Sequence, residues 1–252
     1  MLYLALVACA GIPLAAQVAP PVPGLDEPMR GAVHVIDPAT RPPCQVWTSL
    51  EQVARHAQVR MGFEHTLDCH LAAWTRQPYA RPALRLDGLT PRQAFDRLLA
   101  HRADYQWRMI DGVAVFRPRA AWVTGSVLNR PVAPTSARDQ HPHDLLHTVL
   151  QLTRPSLFQD HIDVQRSSYW RRNDDPSAVA PIDTPVSVAF AGGSLIDALN
   201  AITRPFSGHW ETGYQTGSGQ HRVHIRLLML DYDGGMVSAI SGPFDAAAPW
   251  SP

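Results

Sequence analysis

The chain has 252 residues, of which 17% are charged, and a formal net charge of zero. A balanced charge argues against a protein that binds nucleic acid or a membrane surface by electrostatics, because such proteins carry an excess of basic residues. All 22 basic residues are arginine. This excludes Schiff-base and P-loop chemistry, since both need a lysine amine.

The first sixteen residues, 1–16, carry no charge and are mostly apolar. A segment of this length is too short to span a bilayer and is typical of a signal peptide, with a buried N-terminal helix as the alternative. Leu6-Val7-Ala8-Cys9 also resembles a lipobox, in which Cys9 would carry the lipid, although only eight residues precede it. Residues 17–30 follow as a Pro-rich linker. We expect an exported protein, periplasmic or secreted, or alternatively an outer-membrane lipoprotein held only by its lipid anchor.

Cys44 and Cys69 are the two cysteines that remain once such a leader is removed. An even number of cysteines in an exported chain is consistent with a disulfide, which here would close a separation of 25 residues. Two unrelated buried thiols are the alternative. We expect the disulfide, which on the loop-entropy model stabilises the fold by about 3 kcal/mol.

The first half of the chain, 31–118, predicts a small unit of helices and strands. Thr48-Ser49-Leu50-Glu51 has the pattern of a capping box, so a helix is expected to begin there and to end at Gly62. Thr90-Pro91-Arg92-Gln93 predicts a second helix start, with a Thr cap and a Pro in the first turn. Asp111-Gly112 predicts the turn of a β-hairpin. The expected strands are 32–36, a short strand from Phe63, 83–87, 105–109 and 113–116, and a loop is expected over 66–82.

The second half, 141–233, predicts similar elements after a linker at 119–140. One short strand is expected inside the linker, at 122–127. A helix is expected over 143–153, because its leucines and valine recur at helical spacing. The remaining expected elements are strands at 162–165, 186–190, 208–214 and 223–230, a helix from Leu195, a long surface loop over 167–185 and a flexible tail at 234–252.

Two stretches that lie 104 residues apart share one pattern, residues 84–98 and residues 188–202. Each predicts a short strand, a glycine turn, a Thr or Ser helix cap and a helix with one apolar face. This internal repeat predicts an α+β fold of two small related domains, each a short mixed sheet with helices packed on one face. Domains of this size favour a binding or scaffolding role over catalysis.

Three features of the first half form one longer pattern: residues 49–54, Gly62-Phe63, and Leu84-x-Leu86-x-Gly88-x-Thr90-Pro91-x-Gln93-Ala94-Phe95-x-x-Leu98-Leu99. This pattern resembles the short N-terminal (STN-like) periplasmic domain that secretins and TonB-dependent outer-membrane receptors share, and the second half looks like a divergent copy. The resemblance implies a non-catalytic interaction module without a cofactor. It also implies a partner in the cell envelope, such as a secretion or TonB-system component, or a neighbouring copy.

His143-Asp144-Leu145-Leu146-His147 is similar to the H-E-x-x-H helix of zinc proteases. Two histidines four residues apart can bind one metal on a helix face, and His161 is the nearest candidate for a third ligand. Asp in place of Glu shortens the reach of the general base. A metal-dependent hydrolase is therefore an alternative function, and a small ligand bound between the halves is another.

Trp170-Arg171-Arg172 is the expected partner-binding site, because Trp and Arg are favoured anchors at protein interfaces. Simple packing of a surface loop is the alternative. Gly192-Gly193-Ser194 has the look of a nucleophile on a tight turn, but its position in the repeat predicts a helix cap instead. We expect no catalytic residue and no nucleic-acid partner.

Overall fold

The computed structural model describes residues 24–36, 46–65, 83–123, 126–153, 164–167, 184–205, 208–217, 220–229 and 236–243. Its helices are α1 (Val46–Ala57), α2 (Pro91–Leu99), α3 (Pro142–Thr153) and α4 (Leu195–Thr203). Its strands are β1 (His34–Ile36), β2 (Arg60–Glu64), β3 (Ala83–Arg85), β4 (Tyr105–Ile110), β5 (Val113–Pro118), β6 (Pro131–Val132), β7 (Thr135–Gln140), β8 (Val164–Ser167), β9 (Val186–Phe190), β10 (Gly193–Ser194), β11 (Gly208–Gly217), β12 (Gln220–Met229) and β13 (Met236–Pro243). The predicted α+β class is confirmed.

The first half folds as strand, helix, strand, strand, helix, strand, strand. Strands β1 and β3 form a two-stranded antiparallel sheet, while β4 and β5 form a hairpin with β2 parallel to β5. The hairpin turn has positive φ angles at Asp111 (49°) and Gly112 (77°). Two positive φ angles are what a two-residue turn needs to match the twist of its strands, so the predicted turn is confirmed.

From β7 to β12 the second half has the same order apart from the additional two-residue strand β10, and β13 follows. Strands β7 and β9 form a two-stranded antiparallel sheet, as β1 and β3 do. Strands β11 and β12 form a long hairpin, and β13 lies between β12 and β8. The interpretation of the halves as two related domains stays a prediction, which this shared order of elements supports.

A single seven-stranded sheet joins the halves, in the order β4-β5-β2-β11-β12-β13-β8. The junction is the parallel pairing of β2 with β11, which places Trp210 opposite Gly62. The two halves are therefore joined through backbone hydrogen bonds and not through a linker alone.

Each half covers a different face of this sheet with its helices. Val113 and Val115 of β5 pack with the hydrophobic residues of α3 and α4. The alternate residues Ala114 and Phe116 pack with those of α1 and α2. Because successive side chains of a strand point to opposite faces, β5 contributes to two cores at once. No helix in the described ranges is both long and apolar enough to cross a membrane.

The predicted capping box at Thr48 is wrong, because α1 begins at Val46 and Thr48 lies inside it. The side chain of Val46 is buried in the core, which extends the helix beyond the polar signal. The strand expected at 122–127 is also wrong. Short 3₁₀ helices occupy Ala120–Trp122 and Val127–Asn129, and the Ser126 hydroxyl accepts from the Leu128 amide at 3.1 Å. A local bond of this kind competes with strand pairing.

Two stretches contain strands that the sequence did not predict. The expected linker 119–140 includes β6 and β7, and the expected tail 234–252 includes β13. All six side chains of β7 are at least partly exposed, and its sequence does not alternate between apolar and polar residues. All three strands are held by pairing with distant segments, a source of stability that the local composition does not record. Residues 24–30 of the expected Pro-rich linker also pack on the first half, with Met29 buried.

The two predicted helix caps of the repeat are confirmed. Thr90 accepts from the Gln93 amide, and the Gln93 side chain accepts from the Thr90 amide. Ser194 and Asp197 form the same reciprocal pair, so helix capping accounts for Ser194. The preceding glycines both have positive φ, 71° at Gly88 and 94° at Gly192, where other residues are strained.

Each half also ties its second helix to its hairpin through a tryptophan. The Trp107 indole donates to the Asp96 carboxylate at 2.7 Å. The Trp210 indole donates to the Asn200 side-chain oxygen at 2.8 Å. Asp96 and Asn200 again lie 104 residues apart. The repeat therefore extends to a contact between helix and hairpin that the sequence pattern did not reveal.

Candidate functional site

The junction of β2 and β11 concentrates buried polar side chains. On the face that α1 covers, we define the junction cluster as Trp47, His65, His209, Glu211 and Arg226. His65 follows the last residue of β2, His209 and Glu211 alternate along β11, and Arg226 lies opposite Glu211 on β12. His65, His209 and Glu211 are each less than one tenth exposed.

Glu211 is the centre of this cluster, because both of its carboxylate oxygens have partners. Arg226 donates to one oxygen at 3.1 Å, and Nε2 of His65 lies 3.3 Å from the other. Burial alone would raise the pKa of the Glu211 carboxyl. The hydrogen bond with His65 and the charge of Arg226 outweigh that effect and lower the pKa to about 2. Glu211 is therefore a stable buried anion.

His209 is fully buried, and neither of its ring nitrogens has a hydrogen-bond partner within the described structure. The Trp47 ring of α1 lies 5.5 Å from it, centroid to centroid. Burial lowers the pKa of His209 to about 4, against a smaller opposing effect of the Glu211 charge. The imidazole is therefore neutral at physiological pH.

The opposite face of the same junction holds a second buried ion pair. Arg117 of β5 donates to the Glu64 carboxylate of β2 at 2.5 Å, and both side chains are almost completely buried. The Ser126 hydroxyl donates to the other oxygen of Glu64, also at 2.5 Å. Arg117 in turn donates to Asn129 at 2.8 Å and lies over the Trp122 ring at 4.9 Å. This network fixes the 3₁₀ segment to the sheet.

Close backbone approach at the junction depends on Gly62. A Cβ atom at this position would lie 2.2 Å from the Trp210 ring, which is fully buried over it. The space between the halves at this point is filled by an indole. An open cleft of about 390 Å³ lies between β1 and α1, lined by residues that include Val33, Arg55 and His56.

These contacts indicate a structural role for the junction. His65 and Arg226 hold Glu211 as an anion, which makes it a poor general base. Both oxygens of Glu64 already accept hydrogen bonds, from Arg117 and Ser126. Among the described residues, no three His, Cys, Asp or Glu side chains are placed to hold a metal ion. Chemically, the arrangement links β2, β11 and β12 through the Glu211 carboxylate on one face of the sheet. On the other face it links β5 and the 3₁₀ segment to β2 through Glu64.

Of the sequence-predicted site residues, the described part of the chain includes only the backbone of His143 and the whole of His147. His143 and His147 both lie on α3, as expected, and Nε2 of His147 is 3.5 Å from the Gln151 amide nitrogen. The side chain of His143 and the whole of His161 lie outside the described residues. The same holds for Cys9, Cys44, Cys69, Trp170, Arg171 and Arg172, so the expected lipid site, disulfide and partner contact stay predictions.

No pattern in the sequence predicts the junction cluster. Its members come from four separate elements, and none belongs to a recognisable motif. The available signal was the presence of His and Glu in or beside predicted strands, where a polar residue that becomes buried needs a partner. That signal indicates a partner without saying which residue supplies it.

One strand edge of the sheet is also available for contact. Among the described strands, β4 pairs only with β5 and forms the end of the sheet. Tyr105 lies opposite Pro118, and the Arg119 amide donates to the Asp104 carbonyl at 2.7 Å, so Tyr105 is in a non-hydrogen-bonded pair. By alternation, the peptide groups of Trp107 and Met109 point away from β5. The Met109 side chain is 36% exposed.

Comparison with protein-family models, with curated proteins and with solved structures found no match to this chain.

Proposed function

We propose that this chain is an exported envelope protein that acts as a non-enzymatic protein–protein interaction module. The sequence supports this proposal through its leader-like first sixteen residues and its resemblance to the STN-like periplasmic domain. The repeated order of strands and helices in the two halves supports it further. The partner we expect is an envelope protein such as a secretion or TonB-system component.

The observation that carries the proposal is the edge of β4. Its outward peptide groups at Trp107 and Met109 offer donors and acceptors to an added strand, and this is a common way for a sheet to bind a protein segment. The exposed Met109 side chain adds apolar surface beside them.

The chain already binds one of its own strands in this manner. Strand β11 of the second half adds to the β2 edge of the first half in parallel, through Trp210, Glu211 and Thr212. Backbone pairing supplies affinity at such an edge, and the side chains on either face supply specificity. We therefore place the partner contact at β4 in addition to the predicted Trp170-Arg171-Arg172 loop.

In-cell photo-cross-linking tests this proposal. Met109 is replaced by photoreactive p-benzoylphenylalanine in the full chain, and cross-linked proteins are identified by mass spectrometry. Leu152 of α3 is the matched control, because its side chain is equally exposed at 38% but lies on a helix. We expect one envelope protein to be captured from position 109 and not from position 152.

A backbone variant separates strand addition from side-chain contact. Met109→Pro removes an outward N–H without removing a hydrogen bond between β4 and β5, a position where edge strands tolerate proline. We expect Met109→Pro to abolish partner binding in a purified pull-down and Met109→Ala to retain most of it. Equal binding by both folded variants would contradict a strand-addition contact at β4.

A further inference from the structure

His209 lies where the first half of the molecule meets the second. It belongs to β11 and contacts the Trp47 ring of α1, while β11 itself pairs with β2. We propose that His209 is an acid-sensitive switch, whose protonation opens the contact between α1 and β11 at the junction of the halves. This device is independent of the proposed interaction at β4.

The geometry favours the neutral ring over the charged ring. An imidazolium ion carries two N–H donors, and each needs an acceptor when the ring is buried. His209 is 0% exposed, and neither ring nitrogen has an acceptor in the part of the chain that the structure describes. A proton added to this ring therefore creates a buried charge without a hydrogen-bonded counter-ion.

The charged groups that face the ring do not compensate for that proton. Arg55 approaches from α1 and repels a positive charge on His209, while Glu211 on the same strand attracts it. Both oxygens of Glu211 are already engaged, one by Arg226 of β12 and one by His65 after β2. The single carboxylate of the cluster is thus shared among basic groups before His209 acquires a charge.

The sign of the effect follows from linkage. Burial holds the pKa of His209 at about 4, below its ordinary value of 6.5, so a state that exposes the ring binds the proton more readily than the closed state does. Well above pH 6.5 the ring is neutral in both states, so His209 does not disfavour the closed junction. As the pH falls towards 4, the open state binds the proton first, and the closed junction loses stability relative to it. From this group alone, the ratio of closed to open molecules falls by roughly 300-fold in total between a pH well above 6.5 and a pH well below 4.

Hydrogen exchange of the full chain at pH 7 and at pH 4.5 tests the switch. After correction for the intrinsic pH dependence of exchange, we expect the amides of β2 and β11 to lose protection at pH 4.5. The variant His209→Phe, which keeps a neutral aromatic ring, should retain that protection. The variant His56→Gln is the matched control, because His56 is an exposed histidine of α1 and its loss should leave the acid response unchanged.

An acid response that is the same in His209→Phe and in the unaltered protein would overturn the proposal. A direct titration keeps the test decisive even where a variant folds poorly. Histidine ring NMR of the unaltered protein should show one imidazole that stays neutral to about pH 4. If every histidine ring protonates near pH 6.5 while β2 and β11 stay protected, His209 is not the switch.

Discussion

At the scale of single residues, the contact of Gly62 with Trp210 determines how closely the two halves approach. The glycine is required here by space and not by its backbone angle, since a Cβ atom would lie 2.2 Å from the indole. The indole is fixed by its hydrogen bond to Asn200, so it cannot swing away without leaving a buried donor unpaired.

Gly62→Ala should therefore lower the free energy of unfolding by about 1–3 kcal/mol, the usual cost of forcing extra volume into a packed core. Urea denaturation followed by tryptophan fluorescence measures the change. Gly24→Ala is the control, because its Cβ would meet only the flexible side chain of Glu27, at 3.2 Å. A Gly62→Ala protein as stable as the control would show that Trp210 does not lie over this strand.

The buried pair of Arg117 and Glu64 gives a second prediction at this scale. Arg117→Met leaves the Glu64 carboxylate buried without its counter-ion, and we expect a loss of about 3–5 kcal/mol. The double variant Arg117→Met with Glu64→Leu removes both charges and should recover most of that loss. Urea unfolding of the four proteins of this cycle measures the coupling. Additive losses would mean that the two side chains do not interact.

At the scale of the elements, α2 and α4 begin with the same capping geometry at positions 104 residues apart. Each cap satisfies amide groups that have no partner inside the helix. The apolar faces of the two helices are buried against different sides of the sheet. The two caps can thus be compared as equivalent positions in different packing environments.

Thr90→Ala and Ser194→Ala should each destabilise the protein by about 1 kcal/mol, because each leaves a helix N-terminus without its side-chain acceptor. Thermal or urea unfolding measures both. The exchanges Thr90→Ser and Ser194→Thr keep the hydroxyl and serve as controls with little expected effect. A catalytic role for Ser194 would instead predict that Ser194→Ala leaves stability unchanged.

At the scale of the whole molecule, one sheet carries both halves. Strand β5 of the first half contributes Val113 and Val115 to the core that α3 and α4 complete. Ile225 and Leu227 of β12 belong to that same core. Neither half can therefore lose its structure without exposing apolar surface of the other.

We expect the full chain to unfold in a single cooperative urea transition, with coincident curves from circular dichroism and tryptophan fluorescence. Two separate transitions would indicate that each half is stable on its own and that the β2·β11 junction contributes little. Fluorescence reports on this directly, since Trp107 lies in the first half and Trp210 in the second.

Local patterns in the sequence correctly predicted the elements that contacts between neighbouring residues stabilise. The caps at Thr90 and Ser194, the Asp111-Gly112 turn and the apolar face of α3 depend on neighbouring residues, and the structure has them where the sequence predicts them. The 104-residue repeat was visible for the same reason. The α+β class follows from this alternation of elements.

Only the tertiary structure decided how the strands pair, that residues 236–243 form a strand, and which residues meet in the junction cluster. Strand β13 is a strand because β12 and β8 satisfy its backbone groups, and its own composition predicts a loose tail. His65, His209, Glu211 and Arg226 meet because β2 pairs with β11, which brings His65 to Glu211 across 146 residues of sequence. Hydrogen bonding between distant strands depends on the register of the whole sheet, and no local pattern of residues specifies that register.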